Sequence, residues 1–127
     1  MDLAEIFAHA LPEAMASLVN DEWVLTTTRK KMVSETTADE AFSNVVGILK
    51  LALIQSDQYA FASCCWLARD LAERSATTQI PEGLEDALEA LVVVARLNGT
   101  SAEIAPLFAW YRLPLNRPLH PTAFGVG

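Results

Sequence analysis

The stretch from Ala38 to Gln55 constrains the fold of this chain more than any other segment. Thr37 and Glu40 stand three residues apart at its start, which is the spacing of a capping box at a helix N-terminus. Behind them, apolar side chains cover most of the circumference of the expected helix: Phe42, Val45, Val46, Ile48, Leu49, Leu51, Ala52, Leu53 and Ile54. A helix that is apolar nearly all round is a central one. Gly47 in its middle suggests close packing against a neighbour.

Apolar residues at helical spacing predict further helices on both sides of this segment. The first follows Asp2 and Glu5, which have a capping-box-like spacing, and Pro12 either kinks it or starts a second helix. Residues 22–37 contain three consecutive threonines that favour extended structure. An isolated strand would have no partner elsewhere in the chain, so we expect a short helix there.

Three more helices are expected after the central one. Ser56 or Asp57 caps a helix that runs to about Ser75, and Pro81 fits the first turn of a helix that runs to about Asn98. The last helix starts after Thr100 or Ser101 and contains Pro106. In the helix that ends at about Ser75, Asp70 and Arg74 have the i, i+4 spacing of an ion pair. Tyr59 is expected on the buried side of the same helix.

The fold prediction is therefore all-α: a compact bundle of five or six helices over residues 1–112. Residues 113–127 contain half of the six prolines and are expected to form an extended Pro-rich C-terminal tail. This tail either packs back on the helical domain or docks onto a partner or a second copy of the chain. Both alternatives remain open at the level of the sequence.

The net charge of -7 disfavours nucleic acid as a partner and favours a protein with a basic surface. The N-terminal residues include acids where a signal peptide needs Lys or Arg. The longest apolar run is interrupted by Lys50 and is far shorter than the ~20 residues that span a bilayer. We expect a cytoplasmic protein that is not in a membrane, with Cys64 and Cys65 reduced and buried.

Few residues suit catalysis or metal binding. Glu5, His9 and Glu13 are spaced at i, i+4 and i+8, which permits a metal site on an unbroken helix, but Pro12 disturbs that helix and a solvated polar face is favoured. A nucleophilic cysteine would need a histidine base, and only His9 and His120 could serve. We expect no enzyme activity, no cofactor and no metal. A metal protein or enzyme that uses His9 is the least favoured hypothesis.

Two groups of residues are candidates for partner binding. Four acids at the start of the fifth helix lie away from its leucine stripe and either complement the helix dipole or dock a basic surface: Glu82, Glu85, Asp86 and Glu89. The sequence Trp110-Tyr111-Arg112 contains the residue types most frequent in binding hot spots. The basic run Arg29-Lys30-Lys31 is instead expected to be a solvated loop or helix end.

These features favour a non-enzymatic protein-binding domain. Its most concrete form is a small inhibitor of the immunity or antitoxin kind, which blocks a basic active site with an acidic face. The alternative is an adaptor or secretion-type chaperone that holds a client through apolar surface near Trp110 and the tail. Such a protein is often a homodimer.

Overall fold

A computed structural model describes residues 2–114 and contains six α-helices over that range. Their bounds are α1 (Leu3–Ser17), α2 (Val24–Ser34), α3 (Ala38–Leu53), α4 (Gln58–Ser75), α5 (Leu84–Asn98) and α6 (Ser101–Trp110). No strand occurs between residues 2 and 114. The all-α prediction is confirmed, and so is the helix expected within residues 22–37. The predicted extended tail falls outside the described residues except for its first two.

Helix α3 occupies the centre of the bundle. It packs against α1, α4 and α5, while α4 also contacts α2 and α6. One cluster of buried apolar side chains takes members from all six helices. A methyl group placed on Gly47 would lie 3.6 Å from Cβ of Ala4, so α1 approaches α3 closely at this glycine.

Side-chain caps fix three of the helix starts. The Asp2 carboxylate accepts the Glu5 amide at 3.1 Å, and the Asp57 carboxylate accepts the Ala60 amide at 2.9 Å. Thr37 and Glu40 form the complete reciprocal capping box, and hydrogen bonds from Thr37 lower the pKa of Glu40. These caps satisfy amide groups that a helix leaves unpaired at its N-terminus.

Several details differ from the sequence-based expectations. Helix α1 continues through Pro12, so no second helix begins there. Helix α5 starts at Leu84 and not at Pro81, because Gly83 has a φ of 85° and ends the preceding turn in a left-handed conformation. Asp70 pairs with its neighbour Arg69 at 2.9 Å and not with Arg74.

Candidate functional site

The outward face of α5 combines acidic and apolar side chains. Leu84, Leu88 and Leu91 are buried on its inner side, as the leucine stripe predicts. The opposite side presents residues at spacings of three and four, which place them in one stripe: Glu85, Asp86, Glu89, Val93, Arg96 and Leu97. Val93 is 46% exposed and Leu97 is 82% exposed. The acids occupy the first half of the helix and the exposed aliphatic side chains the second half.

The acidic end of this face borders a shallow depression of about 250 Å³. Ile80 and Pro81 line it together with Glu82, Glu85 and Asp86. Glu82 and Asp86 are exposed, whereas Glu85 and Glu89 already interact within the protein. The four predicted acidic residues therefore lie near one another, but only some of them are available without breaking an internal interaction.

The second predicted group, Trp110-Tyr111-Arg112, is largely used in packing. The indole Nε1 of Trp110 donates a hydrogen bond to the carbonyl oxygen of Thr77 at 3.0 Å. Tyr111 is buried, and burial raises the pKa of its hydroxyl to about 12. Arg112 alone of the three is exposed, at a positive φ of 58°.

A larger cleft of about 600 Å³ lies between α2 and α4. Its wall carries four basic and two acidic side chains: Arg29, Lys30, Arg69, Arg74, Asp70 and Glu73. Nearly half of the nine basic residues of an acidic chain are thus collected around one cavity. This concentration makes the cleft locally basic despite the net charge of -7.

Arg29 is the most unusual residue of this cleft. It belongs to α2 and is only 7% exposed. The run Arg29-Lys30-Lys31 was expected to be solvated, and for Arg29 that expectation is wrong. Its Nε and Nη1 atoms are enclosed and have no hydrogen-bond partner among the described residues. Burial lowers the pKa of the guanidinium, and the nearby Asp70 carboxylate opposes part of that effect.

The indole of Trp66 lies beneath Arg29. The guanidinium carbon of Arg29 lies 5.0 Å from the centre of the indole ring, within the range of a cation–π interaction. The indole is itself fixed, because its Nε1 donates to Glu103 at 2.8 Å and the ring of Tyr59 packs nearly perpendicular to it. Tyr59 is 38% exposed, not buried as its helical position suggested.

The residues considered for catalysis or metal binding lie apart from both surfaces. Glu5, His9 and Glu13 are exposed on α1, and within residues 2–114 no group of three potential metal ligands is close enough to hold an ion. Cys64 and Cys65 are free and buried, and burial raises the pKa of each thiol to about 12. His120 lies outside the described residues.

The sequence does contain one indication that Arg29 is buried, although its charge favours an exposed position. Leu25, Arg29 and Met32 follow helical spacing, and Thr36 continues the same stripe into a buried position. An arginine within such a stripe is placed against the core by its neighbours.

No helix within residues 2–114 is both long enough and apolar enough to cross a membrane. Comparisons with known protein families, with curated proteins and with solved structures give no match to this chain.

Proposed function

We propose that this chain is a non-enzymatic protein-binding domain whose outward α5 face docks onto a basic surface of another protein. The observation that supports this proposal is the stripe from Glu85 to Leu97, which joins exposed acids in its first turn to the exposed side chains of Val93 and Leu97. Its most concrete form is an inhibitor of the immunity or antitoxin kind, which covers the basic active site of an enzyme.

The two halves of the stripe have different roles in this proposal. The acids steer a basic partner and fix its orientation, a contribution that weakens as salt increases. Val93 and Leu97 supply apolar area, and full burial of such a side chain contributes about 1.5–3 kcal/mol. Polar contacts around an apolar centre are typical of specific protein interfaces.

The alternative is an adaptor or chaperone that holds a client near Trp110 and the tail. It has less support, because Tyr111 is buried and the indole of Trp110 is hydrogen-bonded to Thr77. A client bound by apolar surface would remain attached at high salt, which distinguishes this alternative from the first proposal.

The test begins with a pull-down of the tagged protein from its native lysate at low and high salt, followed by mass spectrometry. The captured partner is then purified and its affinity measured for a double variant, Glu82→Lys with Asp86→Lys. These positions are chosen because Glu85 and Glu89 already interact within the protein. We expect at least tenfold weaker binding and an unchanged circular dichroism spectrum.

The matched control reverses two exposed acids away from α5, Glu13→Lys on α1 with Glu35→Lys just after α2. It changes the net charge by the same amount and should alter affinity by less than twofold. Equal effects of the two double variants would mean that only overall charge matters, and the α5 face would be rejected as the docking surface. If the partner is retained at high salt and its affinity is unchanged by both double variants, the result would favour the adaptor.

A further inference from the structure

The α2–α4 cleft plays no part in the proposed docking of α5, yet it contains an unsatisfied buried charge. Arg29 is 7% exposed, and two of its three guanidinium nitrogens are enclosed without a hydrogen-bond partner among the described residues. Buried polar groups in proteins are nearly always paired, and an unpaired donor beside a cavity is a place where a bound ion can supply the missing partner. Arg29 is one of the residues that line the cleft, so a ligand held there lies beside this side chain.

The carboxylates of the cleft do not satisfy Arg29. Oδ1 of Asp70 accepts from both Nε and Nη2 of Arg69, at 3.2 and 2.9 Å. Glu73 also lines the cavity, and no hydrogen bond joins its carboxylate to Arg29. The two carboxylates of the cleft thus leave Nε and Nη1 of Arg29 without a hydrogen-bond partner.

Two of the other cations, Arg69 and Arg74, are held in place around the cavity. Asp70 orients the guanidinium of Arg69, and Nε of Arg74 donates to the carbonyl oxygen of Thr36 at 2.8 Å. Trp66 supports Arg29 from below and is anchored to Glu103. Donors that are already oriented lose little conformational freedom when a ligand binds.

From this geometry we propose that the α2–α4 cleft binds the phosphate group of a small molecule, with Arg29 as its central donor and Arg69, Arg74 and Lys30 around it. The wall carries two more basic than acidic side chains, which matches the charge of about -1.5 to -2 on a phosphate monoester at neutral pH. A phosphate offers three acceptor oxygens to these separate donors, whereas a carboxylate offers two.

The size of the cleft suits a small organic phosphate. Its volume of about 600 Å³ falls within the usual range of ~300–1,000 Å³ for small-molecule sites. The net charge of -7 does not prevent binding, because charges beyond a Debye length of about 8 Å are largely screened at physiological salt. The groups that line the cleft therefore dominate.

The proposal is tested by NMR titration of the full chain. The Nε–H resonances of Arg29 and Arg74 and the indole Nε1–H resonance of Trp66 are followed while inorganic phosphate, phosphoserine, succinate and sodium chloride are added separately at matched ionic strength. We expect saturable shifts with both phosphates, weaker ones with succinate and none with chloride. The indole resonance of Trp110, which lies outside the cleft, serves as the internal reference.

Two variants assign the site to Arg29. Arg29→Met keeps the side-chain stem but removes the donors, and we expect it to weaken phosphate binding at least tenfold. Arg29→Lys keeps the charge without the planar fork and should weaken binding several-fold. Lys50→Met removes an exposed cation on α3, outside both the cleft and the α5 face, and should leave affinity within twofold. If Arg29→Met does not fold, Arg69→Met provides the same test at the rim.

Three results would overturn the proposal. The first is the absence of saturable shifts with either phosphate at concentrations up to ~10 mM. That result would exclude a site with a dissociation constant of ~1–10 mM or lower. The second is an equal response to chloride, which would mean general screening. The third is binding of succinate as tight as that of phosphate, which would reject the assigned ligand class.

Discussion

Arg29 is a charged side chain in a position that favours an apolar one. Leu25 lies one turn before it on the buried side of α2, and the indole of Trp66 lies beneath it. Removing a guanidinium from water is unfavourable unless its hydrogen bonds are made. The cation–π contact and the nearby carboxylate of Asp70 offset part of this cost.

We therefore predict that Arg29→Met increases the stability of the ligand-free protein. Methionine fills similar space, removes the buried charge and leaves the Asp70–Arg69 pair intact, so the free energy of unfolding should rise by about 1 kcal/mol. Urea unfolding of the two proteins measures this directly. As a control, Arg29→Ala also removes the stem and should destabilise through lost packing. A loss of ~3 kcal/mol or more for Arg29→Met would identify a satisfied structural ion pair instead.

Residue types alone predicted Cys64 and Cys65 correctly but not Arg29. A free cysteine is among the most often buried residue types, and these two are buried. The run Arg29-Lys30-Lys31 contains three cations, but only the first is buried, because the side of α2 that faces α4 is decided by tertiary packing. For the same reason the convergence of Arg69 and Arg74 on Arg29 could not be inferred from the sequence.

At the scale of elements, substitution by alanine is expected to have opposite effects on stability at Gly47 and at Gly99. Gly47 lies inside α3, where an added methyl would make ordinary contact with Ala4 at 3.6 Å. Gly99 caps α5 with a φ of 69°, a conformation that only glycine adopts at little cost. Helix interiors favour alanine over glycine by up to about 1 kcal/mol.

We predict that Gly47→Ala raises the free energy of unfolding by up to about 1 kcal/mol, since it removes backbone freedom from the unfolded chain and meets no clash. Gly99→Ala should lower it by about 1–2 kcal/mol, because alanine is strained in the left-handed region. Chemical denaturation of both variants and the parent provides the measurement. Destabilisation by Gly47→Ala would mean that the added methyl does not pack favourably against Ala4 of α1.

Helix starts were predictable where a side chain forms the cap, and less so elsewhere. Asp2 and Thr37 are caps recognisable from their spacing, Asp57 was one of two candidates beside Ser56, and all three caps are present. The start of α5 was misplaced because Pro81 is a favourable first-turn residue, whereas the turn at Gly83 depends on backbone geometry that spacing does not report. The exposed stripe of α5 was only half predicted, since its acids were recognised but Val93 and Leu97 were not.

For the whole molecule, the central position of α3 follows from its nearly continuous apolar surface. The sequence gives no comparable information on which of the remaining helices are neighbours. The contacts of α4 with both α2 and α6 place the buried thiols of Cys64 and Cys65 in the single core, and Tyr111 closes the same core after α6. Global unfolding therefore exposes all three titratable groups to water.

This arrangement predicts that the protein loses stability steeply as the pH rises above about 9. Burial raises the pKa of each thiol from 9.0 to about 12, and that of Tyr111 from 10.0 to about 12. Between these values the unfolded chain releases its protons while the folded chain retains them. The unfolded state then binds fewer protons, so the free energy of unfolding decreases with increasing pH.

The contribution of each thiol is complete below pH 9 and is lost at up to about 1.4 kcal/mol per pH unit above it. Urea unfolding at pH 8, 9, 10 and 10.5 measures the slope, and Tyr111 should steepen it above pH 10. The control is the double variant Cys64→Ala with Cys65→Ala, which starts less stable but should lose stability more slowly over the same range. Parallel pH profiles for the two proteins would mean that the thiols ionise as readily in the folded core as in water.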